Sequence, residues 1–219
     1  MNVKPIRTRI FNERENIGKF IQTHIKKIPE KSVLVVASKI VALSEGRVAK
    51  KPNVSQKMKL TITDGMMMAN GGIDESNAMG KIVLLPKDSY HSAEWLRKEL
   101  KKIYKIKNLG VVISDSHIAP LRAGVTAHAI GYAGMRGVRD YRGTKDLFGR
   151  TMKISRTNVV DSLATAAALT MGEGAEKQPL ALITQAPVEF VEKINKRETS
   201  IKLTDDIYWP LLKTIRKKR

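Results

Sequence analysis

Cysteine is absent from the chain, and long apolar runs are absent too. Without cysteine, disulfide bonds and thiolate metal sites are both excluded. No segment approaches the roughly 18 to 20 unbroken apolar residues of a membrane-spanning helix. The first residues, MNVKPIRTRIF, lack the apolar stretch of a signal peptide. We therefore expect a cytoplasmic protein that has no membrane partner.

Several catalytic signatures are also missing. The sequence contains no GxxxxGK[ST] phosphate loop, no GxGxxG opening a helix, no HExxH zinc motif and no nucleophile elbow. The glycines of GYAGMRG (131–137) recur every third residue, which matches none of these patterns. Any catalytic site must therefore be sought in residues outside these motifs.

Acidic residues are few compared with basic ones. The 219 residues include 40 Lys and Arg but only 21 Asp and Glu, which gives a formal net charge of +19. Such an excess attracts anions and speeds their encounter with the protein. The partners could be nucleic acid or small polyanions such as nucleotides and polycarboxylates. Five of the last seven residues (KTIRKKR) are basic, as in a solvated helix end or a polyanion contact.

Apolar periodicity predicts the helices and strands. Asn12 is predicted to cap the first helix, and Asn158 the third, which Gly172 ends. In the second helix Leu96 is expected to face inward and Arg97 outward. The predicted helices cover residues 14–28, 89–106, 159–171 and 204–217. The predicted strands cover residues 33–38, 58–64, 81–86, 110–114 and 180–184.

The strands and helices follow one another without a repeating βαβ unit. Residues 116–150 contain six glycines and no long periodic run, so loops and short strands are expected there. The sequence therefore predicts an α+β fold with mixed sheets and packed helices.

Three acidic residues stand out by their context. Asp74 follows a flexible Asn-Gly-Gly run, Asp115 follows a predicted strand, and Glu173 follows the end of a predicted helix. Together with the Ser116 hydroxyl and the Asn77 amide, their carboxylates are the oxygen ligands that Mg²⁺ or Mn²⁺ prefers. Each residue is also typical of an ordinary turn or cap, and spacing alone does not show that they converge.

Other polar residues allow two interpretations each. Lys39 follows a predicted strand and could bind a phosphate or lie on the surface. His117 and His128 flank the Asp115 region and could contact a substrate. RDYRG (139–143), with the charged residues after it, could form an ion-paired turn or an anion-binding loop.

Seven motifs occur together and in order, and as a set they resemble the coenzyme F-420-0:L-glutamate ligase family, whose γ-glutamyl ligases elongate a deazaflavin cofactor. The motifs are SKIVALSEGRV (38–48), ANGGIDESN (69–77), VLLPKDS (83–89), ISDS (113–116), AIGYAG (129–134), VRDYRGTKDLFGR (138–150) and LTMGEG (169–174).

The resemblance implies an amide ligation driven by GTP or ATP. The acceptor carboxylate would take the γ-phosphoryl group, and the amine of L-glutamate would attack the acyl phosphate. Two divalent ions, Mg²⁺ or Mn²⁺, would neutralise the developing charge. By the family motifs, the metal ligands would be Asp74, Asp115, Ser116 and Glu173.

The family motifs also assign the remaining roles. Asp115 and Lys39 would be catalytic, and the nucleotide would contact Ser38, Lys39, Asn77, Met171, Gly172 and Gly174. The resemblance further implies an intertwined homodimer. Residues 1–185 would form the catalytic region, and residues 186–219 a basic C-terminal extension.

The chain departs from the family pattern at three places. The N-terminal nucleotide segment of the family, typically PLI with a basic residue, corresponds here to Arg9-Ile10-Phe11-Asn12. Leu43 stands where family members usually carry a lysine. After the SD[TS] motif the family commonly reads FGRPWRNGQTDVAIG, whereas this chain reads HIAPLRAGVTAHAIG. The acceptor could therefore be the deazaflavin or a different one, such as a folate-like cofactor. An alternative of another class is a basic RNA-binding or nucleotide-sensing protein on the ligase scaffold.

Overall fold

The computed structural model describes residues 1–50, 59–63, 65–76 and 80–213. Among these residues the α-helices are α1 (Ile17–His24), α2 (Ser38–Ser44), α3 (Ser89–Tyr104), α4 (Val159–Met171) and α5 (Trp209–Leu212), and two 3₁₀ helices cover Asn70–Gly72 and Leu203–Asp205. The strands are β1 (Asn2–Ile6), β2 (Ser32–Ala37), β3 (Val48–Lys50), β4 (Leu60–Thr63), β5 (Met66–Ala69), β6 (Lys81–Val83), β7 (Leu109–His117), β8 (Thr126–Ala133), β9 (Val138–Asp140), β10 (Arg156–Asn158) and β11 (Leu180–Thr184). The predicted α+β class with mixed sheets is confirmed.

A five-stranded sheet in the order β1-β11-β2-β7-β8 forms the centre of the molecule. Helices cover both of its faces, so β2 is an unbroken apolar strand rather than an alternating one. Leu34 and Val36 pack in the cluster that includes α1, α2 and α3, whereas Val33 and Val35 pack with α4. All four side chains are fully buried.

Within this sheet β2 and β7 run parallel, and the other neighbours are antiparallel. The register pairs Ala37 at the end of β2 with Ser114 on β7. The residues that follow, Ser38 and Asp115, are therefore brought side by side at one edge of the sheet. This is the edge at which sites commonly lie in sheets with parallel strands.

β9 and β10 form the base of a projecting hairpin, residues 138–158, which we call the hairpin arm. Asp140 accepts hydrogen bonds from Arg142, and Asp146 pairs with Arg150 at 3.4 Å. RDYRG thus forms an ion-paired turn. Large apolar side chains nevertheless remain exposed on the arm: Leu147 at 98%, Phe148 at 83% and Ile154 at 85%.

The chain after β11 packs back onto the turn that follows β8. Glu198 Oε1 accepts hydrogen bonds from the Tyr132 hydroxyl at 2.7 Å and from the Gly137 amide at 2.6 Å. The Arg136 amide donates to the Glu189 carbonyl at 2.9 Å. Residues 186–200 are therefore tied to the central sheet by hydrogen bonds. The basic residues from 214 onward lie outside the described residues.

Some predicted element boundaries are wrong. α1 is capped by Asn16, whose side chain accepts from the Lys19 amide at 2.9 Å, and not by Asn12. β7 does not stop before Asp115 but continues to His117, because β8 pairs with it over this length. β8 itself has eight residues, in a region where only loops and short strands were expected. The last predicted helix is reduced to α5 among the described residues.

The prediction that Arg97 faces outward is also wrong. Its side chain is only 2% exposed, and its Nε donates to the Leu109 carbonyl at 3.0 Å. Other predictions hold: α3 begins at Ser89, Asn158 caps α4, and Gly172 follows the last residue of α4.

Candidate active site

The ends of β2 and β7 place Ser38 and Asp115 in direct contact. Ser38 opens α2 immediately after β2, and its hydroxyl donates to Asp115 Oδ1 at 2.7 Å. Burial raises the pKa of Asp115 above its ordinary value, and the nearby charge of Asp74 adds to this effect. The Ser38 hydrogen bond and the charge of Lys39 act in the opposite direction but do not cancel it.

Lys39 and Asp74 form an ion pair beside this contact. Lys39 Nζ lies 2.7 Å from Asp74 Oδ2 and also donates to the Ser76 carbonyl at 2.7 Å. The amide and hydroxyl of Ser76 both donate to Asp74 Oδ1 at 2.7 Å. Burial opposes ionisation of Asp74, but the donors on Lys39 and Ser76 outweigh it and hold its pKa below the ordinary value.

Ser116 and Glu173 form a second polar contact at the same edge. The Ser116 hydroxyl lies 3.0 Å from Glu173 Oε2 and 3.2 Å from Oε1. Glu173 follows α4 directly after Gly172, whose positive φ of 79° turns the chain out of the helix. The end of α4 is thereby joined to the end of β7.

The loop after α4 folds around the carboxylate of Glu176. The Gly174 amide donates to Glu176 Oε2 at 2.8 Å. A Cβ atom on Gly172 would lie 2.5 Å from the Glu176 carboxyl carbon, so a larger residue there would displace this side chain. The loop can therefore hold an anionic oxygen on a main-chain N–H group.

These groups surround one cavity of about 560 Å³, which we call the main cavity. Nine of the ten predicted site residues line it: Ser38, Lys39, Asp74, Asp115, Ser116, Met171, Gly172, Glu173 and Gly174. The tenth, Asn77, lies outside the described residues. Cavities of this size bind small molecules and cofactors.

The donor set is suited to a divalent cation that a substrate helps to bind. Among the described residues no three acidic or histidine side chains are placed to hold one ion. Mg²⁺, however, is commonly bound by one or two carboxylates, with water and substrate phosphates completing its shell. Asp115 and Asp74 alone would not enclose an ion. The charge of Asp74 nevertheless helps to raise the pKa of Asp115, and a bound cation would relieve this repulsion.

The main cavity also contains residues that the motif reasoning did not single out. Ser76 holds Asp74 in an Asp-x-Ser turn, a local spacing that could have been noticed in the sequence. Lys81 pairs with Glu13 at 2.8 Å, and both line the cavity. Their contact joins residues 68 apart, so no sequence signal indicates it.

Among the described residues, no helix is long and apolar enough to cross a membrane.

The predicted contacts of two histidines with a substrate remain untested. The rings of His117 and His128 are in tilted contact, with centroids 4.9 Å apart and planes at 52°, and His128 Nε2 is buried without a hydrogen-bond partner among the described residues. Neither histidine lines the main cavity.

Comparison with known proteins gives the family. A family model described as F420-0:Gamma-glutamyl ligase matches residues 54–185. The chain is 42% identical over 142 residues to a coenzyme F420:L-glutamate ligase of Methanococcus maripaludis (strain C7), covering 63% of this chain and 57% of that relative. The match thus spans little more than half of the length of that protein.

Two other relatives extend the match. The coenzyme F420:L-glutamate ligase of Methanocaldococcus jannaschii is 39% identical over 174 residues, covering 75% of this chain and 69% of the relative. That of Archaeoglobus fulgidus is 28% identical over 208 residues, covering 80% and 83%. The chain therefore belongs to the F420-0:Gamma-glutamyl ligase family.

Proposed function

We propose that this protein is a metal- and GTP-dependent ligase that joins L-glutamate, through an amide bond, to a carboxylate of a cofactor-like acceptor. The observation that carries the proposal is the gathering of Lys39, Asp74, Asp115 and Glu173 around one cavity. The names of the relatives support glutamate as one substrate and an F420-type cofactor as the other. A folate-like acceptor is the alternative for the same chemistry.

The reaction would proceed in two steps. An oxygen of the acceptor carboxylate attacks the γ-phosphorus of GTP, the bond to the β-phosphate oxygen breaks, and GDP leaves. The nitrogen of L-glutamate, as the free amine, then attacks the acyl carbon. The carbon–oxygen bond to phosphate breaks, inorganic phosphate leaves, and the nitrogen loses one proton to form the amide.

The residues of the main cavity would act mainly by position and charge. Lys39 would turn its ammonium group from Asp74 to the transferred phosphoryl group and stabilise its negative charge. The main-chain N–H groups of the Gly172–Gly174 loop would receive another anionic oxygen of the nucleotide. ATP could replace GTP in this scheme, because every contact described involves phosphate oxygens and none involves the base.

Asp74, Asp115, Ser116 and Glu173 would hold Mg²⁺ or Mn²⁺, which would supply charge neutralisation and alignment of the phosphates. Ser38 holds the Asp115 carboxylate by a hydrogen bond, and Ser76 holds that of Asp74. This fixes the direction in which each carboxylate presents its second oxygen.

Mass spectrometry tests the proposal. The protein is incubated with GTP or ATP, Mg²⁺ or Mn²⁺, L-glutamate and a panel of deazaflavin and folate-like acceptors. We expect one glutamyl increment on an acceptor, with release of phosphate. Asp115→Asn should lower kcat by at least about a hundredfold, the scale on which one preorganised charge contributes. Asp140→Asn, on the exposed hairpin arm, is the matched control and should leave kcat unchanged.

The proposed ligase activity would be refuted if the protein neither hydrolysed nucleotide nor formed product with any acceptor. Equal losses in Asp115→Asn and Asp140→Asn would refute the assignment of the site but not the reaction.

We also propose that the protein acts as an intertwined homodimer. The hairpin arm supports this, because Leu147, Phe148 and Ile154 are exposed on it although they are large and apolar. Exposed apolar surface of this kind marks contact with another molecule.

A further inference from the structure

A second cavity lies between the start of α1, the end of α2 and the first half of α3. Its volume is about 460 Å³, within the roughly 300 to 1,000 Å³ of small-molecule sites. It shares no lining residue with the main cavity. Nothing in the proposed ligase reaction uses it.

Three side chains with N–H donors line this second cavity: Arg14, His91 and Trp95. Trp95 lines it and is 42% exposed, a large fraction for an indole ring. The side chains of Trp95 and His91 have no hydrogen-bond partner in the part of the chain that the structure describes. The guanidinium group of Arg14 has one contact there, with Glu13 at the 4.0 Å limit of an ion pair.

The acidic groups of the cavity, by contrast, are engaged. Glu45 accepts from the Lys87 amide and from the Ser92 hydroxyl, each at 2.7 Å. Glu15 forms an ion pair with Arg9 and also accepts from the Asn12 amide at 3.1 Å. The groups that remain available to a ligand are therefore N–H donors that lie beside the aromatic face of Trp95. A complementary ligand would bring acceptor oxygens and a flat ring.

α2 and the N-terminal segment form a wall between the two cavities, and each of them lines both. Ser38, Lys39 and Leu43 of α2 line the main cavity, whereas Val41 and Glu45 at its other side and end line the second. The N-terminal segment is divided in the same way, since residues 8–13 line the main cavity and residues 14–17 the second. The Arg14 amide joins these two walls by donating to the Leu43 carbonyl at 2.8 Å.

We propose that the second cavity binds a small aromatic molecule that carries an anionic group, and that α2 transmits its binding to Ser38 and Lys39 in the main cavity. The ring would stack on Trp95, and the anionic group would accept from Arg14 and His91. A ligand there changes the main cavity only if it favours one position of α2 over another. The second cavity is thus an effector site on the side of α2 opposite Lys39, an assignment that rests on the proposed function of the main cavity.

NMR titration tests the binding. The probe is 2-naphthoate, its neutral control is 2-naphthamide, and the readout is the indole N–H resonance of Trp95. Trp209→Phe assigns that resonance, because the chain has two tryptophans. We expect saturable shifts with 2-naphthoate and an affinity about tenfold weaker in Arg14→Gln and in His91→Gln. Arg156→Gln, an exposed arginine on the hairpin arm, should bind as the wild type does.

The binding proposal is wrong if Trp95 shows no saturable shift, if naphthamide binds equally well, or if both variants bind like Arg156→Gln. The two variants are independent, so the failure of one to fold leaves the other to decide. Neither measurement depends on ligase activity.

The coupling has its own readout in the same titration. The backbone amides of Ser38 and Lys39 should shift with the dissociation constant measured at Trp95, and should lose sensitivity in Arg14→Gln. Unmoved amides while Trp95 titrates would refute the coupling. Shifts of these amides that keep the wild-type dissociation constant in Arg14→Gln, while Trp95 binds more weakly, would report separate binding in the main cavity and would refute the coupling as well.

Discussion

At the scale of single residues, Arg97 shows how a charge can mislead an interpretation of helical periodicity. Ala93, Leu96, Arg97 and Leu100 occupy the i, i+3, i+4 and i+7 positions of α3, and all four are buried. The position of Arg97 in this stripe favours the inside, but its charge led us to expect the outside. Its fixed guanidinium group makes the buried position possible, because it reaches the Leu109 carbonyl.

Arg97→Met should lower the free energy of unfolding by about 2 to 4 kcal/mol. Methionine keeps most of the packing, but it leaves the buried Leu109 carbonyl without its Arg97 donor. It also removes the ion pair between Arg97 and Glu192, which lie 2.9 Å apart in the wild type. The measurement is urea unfolding followed by circular dichroism. Lys98→Met is the matched control, since Lys98 is 65% exposed and should change stability by no more than about 0.5 kcal/mol. Similar losses in both variants would contradict the prediction.

The candidate site was more predictable than Arg97, because its residues lie at the ends of recognisable elements. The motifs identified Asp74, Asp115 and Glu173 as candidates. They did not show that these side chains share a cavity, since this depends on the register between β2 and β7. Ser76 was missed because it acts by holding Asp74 through a hydrogen bond. The motif reasoning considered only residues that would contact a ligand directly.

At the scale of elements, β8 was the main omission. Its sequence TAHAIGYA includes a glycine, and neither of its faces is uniformly polar, so it lacks the alternation of a half-buried strand. The structure explains the glycine. A Cβ atom on Gly131 would lie 2.4 Å from the backbone of Ser89, where α3 begins. Close packing between a helix and a strand, which sequence periodicity does not report, determines this residue.

Tyr132 lies at the end of β8 and tests the packing of the chain after β11. Burial, helped by the Glu198 hydrogen bond, raises the pKa of Tyr132. The folded state therefore retains the phenol proton more strongly than the unfolded state. Its contribution to stability is fully present below the ordinary tyrosine pKa of about 10 and is lost as the pH rises above it.

Tyr132→Phe should lower the free energy of unfolding at pH 7 by about 1 to 2 kcal/mol, because it removes a hydrogen bond to a carboxylate. The difference from the wild type should shrink between pH 10 and pH 11.5, as the wild type loses its own contribution. Urea unfolding at each pH measures this. Tyr141→Phe, on the exposed hairpin arm, should show no such convergence. A pH-independent difference for Tyr132→Phe would contradict the argument.

At the scale of the whole molecule, the hairpin arm predicts the oligomeric state. Replacement of Leu147 and Phe148 by serine should shift the protein from dimer to monomer, because it removes two of the three large apolar side chains that are exposed on the arm. Light scattering after size-exclusion chromatography measures this, and circular dichroism verifies the fold. Leu121→Ser is the matched control, as Leu121 is fully exposed outside the arm. A wild-type monomer, or a double variant that remains dimeric, would refute the proposed dimer.

The parallel pair at the centre of the sheet has a consequence for the way the molecule folds. Ser38 and Asp115 are 77 residues apart, and their contact requires β2 and β7 to be paired first. Closing so long a loop costs entropy that local hairpins do not pay, and such non-local pairing slows folding. Until these two strands meet, the chain has helices and hairpins but no site. Binding competence and completion of the central sheet are therefore one kinetic event.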